Sequence, residues 1–263
     1  QSSKSDARAS KMRLAVTKRS SPPSFEGRRR FFCFVFVIVS FSFSLSPGTK
    51  AFFSSSSLRS PSVADAFDRS DEEKIATIAQ HVHGILETLG MDLEDDSLKG
   101  TPMRVAKLYV REAFGGLHPD RKPGMSTFEN SYRYNEMLVE KDIVLYSTCE
   151  HHLLPIVGRA HVAYISNGRV VGLSKMNRIV DYYAKRPQVQ ERLTRQIVQE
   201  LQHVLGTEDV ACVIDAKHLC VNSRGIRDIE SSTVTAEFGG VFNLESKKQE
   251  FLNYINLKTD FGV

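Results

Sequence analysis

Residues 142–171 read DIVLYSTCEHHLLPIVGRAHVAYISNGRVV, and this stretch decides the fold class. Runs rich in β-branched and aromatic residues at 143–146, 160–165 and 169–171 predict strands, and Asn167-Gly168 between the last two predicts a tight hairpin turn. The same stretch carries Cys149-Glu150-His151-His152, answered further on by Lys217-His218-Leu219-Cys220. Cys149 and His152 can offer sulfur and imidazole nitrogen from one turn, and Cys220 can complete a soft metal site. Zn²⁺ suits these three ligands, which leave a coordination position for water. His151 and His218 each stand beside a presumed ligand, where a proton-transfer group is needed, so the pattern points to metal-assisted hydrolysis. A structural zinc with His151 or His218 as fourth ligand is the competing reading of the same residues.

Outward from this stretch the pattern is helical. Ser70 and Glu73 have capping-box spacing. Ile75, Ile78, Val82, Ile85, Leu86 and Leu89 then recur at helical period until Gly90. Thr101-Pro102 predicts an N-cap and first-turn proline for a second helix through Val105, Leu108 and Phe114, stopped by Gly115-Gly116. Ser174 can cap a third, through Met176, Ile179, Val180 and Tyr183. Pro187 opens a fourth, through Leu193, Ile197, Val198, Leu201, Val204 and Leu205 to Gly206. Residues 210–214, 218–221 and 233–242 read as further strands. Helices and antiparallel hairpins in this order predict an α+β fold. The absence of a glycine-rich strand–turn–helix fingerprint argues against a Rossmann or P-loop nucleotide site.

The net charge of +4 over 263 residues conceals two opposite regions. Residues 1–67 hold eleven Lys or Arg against three Asp or Glu, a net of +8, and the remainder holds 24 against 28, a net of −4. A nucleic-acid reading from overall charge therefore fails for the body and survives only for residues 1–67, where a targeting explanation is simpler. Residues 1–69 read as an extension and 70–263 as the folded domain. Within the extension, residues 28–30 are arginines, followed by a short apolar run from Phe31, Ala51 and a serine-rich stretch. That order resembles a signal-like segment with a transit-like or linker segment behind it. Met12 is a candidate start, and the run is short and serine-broken for a membrane span. Four cysteines at these spacings do not form a disulfide scaffold. An isolated Cys149–Cys220 bridge is the competing pairing.

With Thr101-Pro-Met-Arg104, Ser147 to Pro155, Gly172 to Lys175, Arg178 to Asp181, Arg186 to Thr194, Ala216 to Cys220 and Arg224-Gly225 in order, the chain resembles the GTP cyclohydrolase I family over roughly residues 70–257. The resemblance implies a tunnelling fold, in which antiparallel sheet and helices assemble into pentameric barrels stacked as a homodecamer. It implies conversion of GTP and water to formate and 7,8-dihydroneopterin triphosphate, the entry to folate and, in some organisms, tetrahydrobiopterin. Activated water attacks C8 of the purine and the imidazole ring opens, with protonation at N7. The resemblance makes Cys149, His152 and Cys220 zinc ligands and gives proton transfer to His151 and His218, with His218 favoured as donor to the purine. It makes Glu191 the reader of guanine N1 and the exocyclic amine, with Gln190 beside it. Ser174, Lys175, Arg178 and Arg224, with Arg104, become ribose and triphosphate contacts, some of them serving a neighbouring subunit's site. Taken alone, Lys175 and Arg178 would be solvated helix faces, and Glu191 a solvated first-turn residue.

Two other classes compete. One is another tunnelling-fold pterin or deazapurine enzyme, against which the full zinc set and the phosphate-binding cations argue. The other is a silent, zinc-stabilised oligomer that binds a regulatory partner, against which His151, His218 and Glu191 argue. Feedback or allosteric control by a regulatory protein is left open. A reaction needing GTP and reduced thiols suggests the cytoplasm, and the leader suggests a plastid as the alternative.

Overall fold

The computed structural model describes residues 60–63 and 65–258; the arginines at 28–30 and the apolar run of the extension lie outside the described residues. Asp71–Thr88 forms α1, opened by the predicted capping box. Ser70 Oγ accepts from the Glu73 N–H at 3.3 Å, and Glu73 Oε2 accepts from the Ser70 N–H at 2.7 Å. Past the helix, Gly90 turns the chain at φ 78°. Ile75 is buried, yet Ile85 and Leu89 of the same stripe are exposed.

The second helix, α2 (Thr101–Lys107), has Gly100 rather than Thr101 as its N-cap, and Thr101 and Pro102 are its first two residues. Proline is tolerated there because N–H groups of the first turn have no helical acceptor. A π-helical turn over Leu108–Ala113 and a 3-10 turn over Gly115–Leu117 follow.

The strands are β1 (Thr127–Glu129), β2 (Met137–Cys149), β3 (Pro155–Ile165), β4 (Arg169–Val171), β5 (Pro187–Gln188), β6 (Val210–His218) and β7 (Thr233–Phe238). Five of them form one sheet in the order β5-β2-β3-β6-β7, antiparallel except for the β2–β5 pair. The other helices are α3 (Leu173–Ala184), α4 (Gln190–Leu205), α5 (Leu219–Asn222) and α6 (Glu245–Asn256). This is the α+β class that the sequence predicts.

Several boundaries differ, each for a physical reason. Asn167-Gly168 does turn the chain, with Gly168 at φ 85°, but it makes no hairpin with β3. Both edges of β3 are already taken by β2 and β6, so β4 pairs with β1 in a separate ribbon. Gly172, not Ser174, is the N-cap of α3. Pro187 lies in β5 because the Glu150 N–H donates to Gln188 O at 3.0 Å and holds the segment against β2; α4 begins only after Val189. The expected 218–221 strand is instead the end of β6 followed by α5, around which buried Asn222 donates to the carbonyls of Asp228 and Ser231. At the far edge, β7 stops at Phe238, and Gly239 and Gly240 lead into a 3-10 turn.

One face of the sheet packs on α3 and α4, burying Ile143, Leu145, Ile156, Val162 and Ile214 against Met176, Ile179, Leu193, Ile197 and Leu201. Each such aliphatic side chain contributes about 1.5–3 kcal/mol by leaving water. The opposite face is covered at one end, where Met137, Ala163, Ala211 and Val213 meet Phe242 and Phe251 of the α6 region. Val144, Tyr146, Val157 and Val234 stay exposed. A bulge between Glu140 and Ile143 interrupts the β2–β3 ladder. There Asp142 adopts φ 59°, and its N–H donates to His161 Nδ1 at 3.1 Å. Where β3 faces β6, a Cβ on Gly158 would sit 2.2 Å from Asp215 O, so a side chain there would force the strands apart.

Candidate active site

Alternation along β2 buries Ile143, Leu145, Ser147 and Cys149 while Val144 and Tyr146 face outward. Cys149 thus ends the strand on the core side, 5% exposed. The chain then reverses in a tight loop. The Cys149 N–H donates to Leu154 O and the Leu153 N–H donates to Cys149 O, both at 2.8 Å, with Leu153 at φ 53°. His151 and His152 ride exposed on that loop. The register Ser147↔Ile156↔His218 brings the ends of β2, β3 and β6 to one level, so α5 leaves the sheet beside the loop.

The result is a cluster of donors. Cys149 Sγ and Cys220 Sγ lie 3.7 Å apart, and the ligand atoms of Cys149, His152 and Cys220 all fall within 4.8 Å of one another. Tetrahedral zinc with Zn–S bonds of about 2.3 Å places two sulfurs about 3.8 Å apart. The donor set and its spacing therefore fit Zn²⁺. Both cysteines are free, so the competing disulfide is not formed. Burial first, then the Cys149 sulfur, push the Cys220 thiol up, while Arg224 pulls it down. Two sulfurs this close accept negative charge together only with a cation between them.

Two further groups adjoin the cluster. His151 Nδ1 is 3.8 Å from Cys149 Sγ. His218 Nε2 is 2.8 Å from Gln190 Oε1. Gln190, a substrate contact by the resemblance, has both ends of its carboxamide engaged by protein. Its Nε2 donates to Ile214 O, Thr233 O and Thr235 Oγ1, which turns the oxygen toward the imidazole. His218 must then carry its hydrogen on Nε2, leaving Nδ1 as the nitrogen that can exchange a proton. Burial depresses the His218 pKa, and the Glu191 carboxylate partly offsets this. Glu191 itself is exposed in the first turn of α4.

The expected phosphate-binding cations divide. Arg224 is close enough to Cys220 to favour its thiolate. Arg104 instead donates to Ser97 O at 3.0 Å and Thr101 Oγ1 at 2.8 Å, and Lys175 Nζ to Gly124 O at 2.8 Å. Ser174 is exposed at the start of α3. Arg178 lines a separate cavity of about 230 Å³ with Arg111, Arg121 and Lys185. None of the described hydrogen bonds or ion pairs joins these four residues to the metal cluster. A larger cavity of about 570 Å³ reaches Glu150 and His151 from the α1 side, but apolar Phe67, Ile78, Tyr109 and Phe114 line it, a poor match to a triphosphate.

Sequence reasoning missed Glu150 and Arg192, whose side chains pair beneath the loop, and Gln188, fully buried between them and α3. No spacing rule links positions so far apart. The only hint was the placement of Glu150 between two metal-site residues.

A model of the family described as GTP cyclohydrolase I matches residues 78–256. Among curated relatives, the GTP cyclohydrolase 1 of Flavobacterium johnsoniae is 72% identical over 207 residues, covering 79% of this chain and 93% of its own length. That of Aeromonas hydrophila is 52% identical over 196 residues, covering 74% and 89%. That of Vibrio cholerae is 52% identical over 182 residues, covering 69% and 84%.

Proposed function

The chain belongs to the GTP cyclohydrolase I family, and from that premise we propose that it hydrolyses GTP to formate and 7,8-dihydroneopterin triphosphate. The observation that carries the reading is the grouping of Cys149, His152 and Cys220, with its 3.7 Å sulfur–sulfur spacing. Zinc held there would polarise water at its open position, supplying the nucleophile for a purine carbon.

The chain's own groups do the rest. His218, oriented through Nε2 by Gln190, exchanges a proton at Nδ1 with the purine as C8 is attacked. Burial keeps this imidazole ready to release its proton, while Glu191 keeps the charged form within reach. His151, beside Cys149, moves protons on the metal side. Glu191 accepts from guanine N1 and the exocyclic amine, a pairing that adenine does not offer. Arg224 meets the substrate from the same chain. Arg104, Ser174, Lys175 and Arg178 reach ribose and triphosphate in sites completed by neighbouring subunits of a homodecamer. Residues 1–69 act as a removable leader outside the catalytic domain 70–263, with the cytoplasm as the enzyme's location and a plastid as the alternative.

The test is metal analysis and product detection on the reduced full-length protein. About one zinc per subunit and formate released from GTP are expected. A protein that neither takes up zinc nor yields formate would end the reading.

A further inference from the structure

Glu150 sits between Cys149 and His151, and its carboxylate pairs with the guanidinium of Arg192. The pair is mostly buried, with Arg192 13% and Glu150 23% exposed. Arg192 follows Glu191 in the first turn of α4. Its Nε also donates to Gln188 Oε1 at 2.9 Å, and its Nη2 to Pro187 O at 3.1 Å. Gln188 is fixed in turn, donating to Tyr183 O and Gln196 Oε1 at 2.8 Å each. The Glu150 N–H closes the circuit on Gln188 O at 3.0 Å. One guanidinium thus ties the metal loop to β5 and to the helix start that carries Glu191.

We propose that the Glu150–Arg192 pair is a positioning device that sets the metal loop against the base-reading end of α4. The inference deepens the proposed reaction and rests on that reading. The engaged carboxylate is not a proton carrier, although its place in the motif suggests one. Its work is to stop the loop from pivoting about the strained Leu153, so that His151 and His152 keep their distance from Glu191. A planar fork is needed, because Arg192 serves three acceptors on two segments at once; an ammonium supplies the charge without that geometry.

Glu150→Gln, Arg192→Lys and the double variant test this in the full-length protein. The readouts are steady-state formate release, zinc affinity by chelator competition, and the visible spectrum of the Co²⁺-substituted protein. Each single variant is expected to lower kcat and zinc affinity by about 10–100-fold, with shifted Co²⁺ bands and little change in KM. The double variant should lose no more than the worse single one, because both changes break the same link. Arg192→Lys, similar in size and charge, guards against a mere folding failure, with elution as the wild-type oligomer as the check. Variants that lose only thermal stability, keeping the wild-type kcat and Co²⁺ spectrum, would overturn the proposal, as would losses that multiply in the double variant. If the wild type releases no formate, the proposed reaction falls instead, and the spectra and zinc affinities still judge the ion pair.

Discussion

Cys149, Cys220, His218 and Gln190 meet inside one chain, where β2 and β6 end and α5 and α4 begin, whereas Arg104 and Lys175 spend their cations on other backbone and hydroxyl oxygens and Arg178 lines a separate cavity. The contrast follows from the chemistry each end must do. A metal tolerates only a few tenths of an ångström of error, so its ligands sit at, or within a few residues of, strand ends pinned by cross-strand bonds. A triphosphate is a diffuse charge, and long flexible cations can reach it from another body. On the proposed reading a neighbouring subunit closes the gap, and the exposed Val144, Tyr146, Val157 and Val234 offer apolar surface for it.

The sharpest way to break this comparison is to mix subunits. Cys220→Ala should abolish both zinc binding and formate release, and Arg178→Ala should remove most of the activity while leaving zinc in place. Co-expressed, the two impaired chains should recover part of the wild-type rate, above that of either alone, if one site draws on two subunits. Metal content and formate release of the purified mixture give the answer, and a mixture that stays dead would place Arg178 within its own chain's site.

A smaller effect is expected from Glu191→Gln. It keeps size but turns one acceptor into a donor facing guanine's own donors, costing on the order of 2–4 kcal/mol in kcat/KM for GTP. Zinc content should not change, which separates base reading from the metal end. Unchanged GTP kinetics would show that another group reads the base.

The smallest effect concerns the pinned sheet itself. Burial depresses the pKa of His161, and Nδ1 must stay unprotonated to accept from the Asp142 N–H. A lowered folded-state pKa means the unfolded chain binds the proton first, so this stabilisation is present above the ordinary histidine range and fades as pH falls through and below about 6.5. Melting of the wild type at pH 7.5 and 5.5, beside His161→Gln, should show a part of the acid loss, roughly 2–4 °C, that the variant lacks. Parallel pH curves would remove His161 from the account.

The metal end was the more legible in sequence because its information lies in residue types: two short motifs, each pairing a thiol with imidazole, already name a soft cation. Helix ends with chemical signatures were legible too, as at Ser70 with Glu73 and at Gly206, the left-handed cap of α4. What stayed hidden depended on who occupies a strand edge. Asn167-Gly168 is a sound turn, but its strand finds β3 already paired on both sides. Pro187 looks like a helix start until Gln188 is seen bonded to the metal loop. Likewise, that the Gln190 carboxamide faces His218 depends on three carbonyl and hydroxyl acceptors that no sequence spacing reveals.

The bulge at Asp142 acts as a half-period phase shift. Upstream of it, odd-numbered Met137 and Val139 serve the α6 side of the sheet; downstream, odd-numbered Ile143, Leu145 and Cys149 serve the α3–α4 side. The parity of the count between Met137 and Cys149 therefore decides on which side the sulfur emerges. Exchanging residues in this strand disturbs packing locally. Changing their number by one would export either the hydrophobic anchor or the metal ligand to the wrong side, so this strand tolerates substitution far better than insertion or deletion.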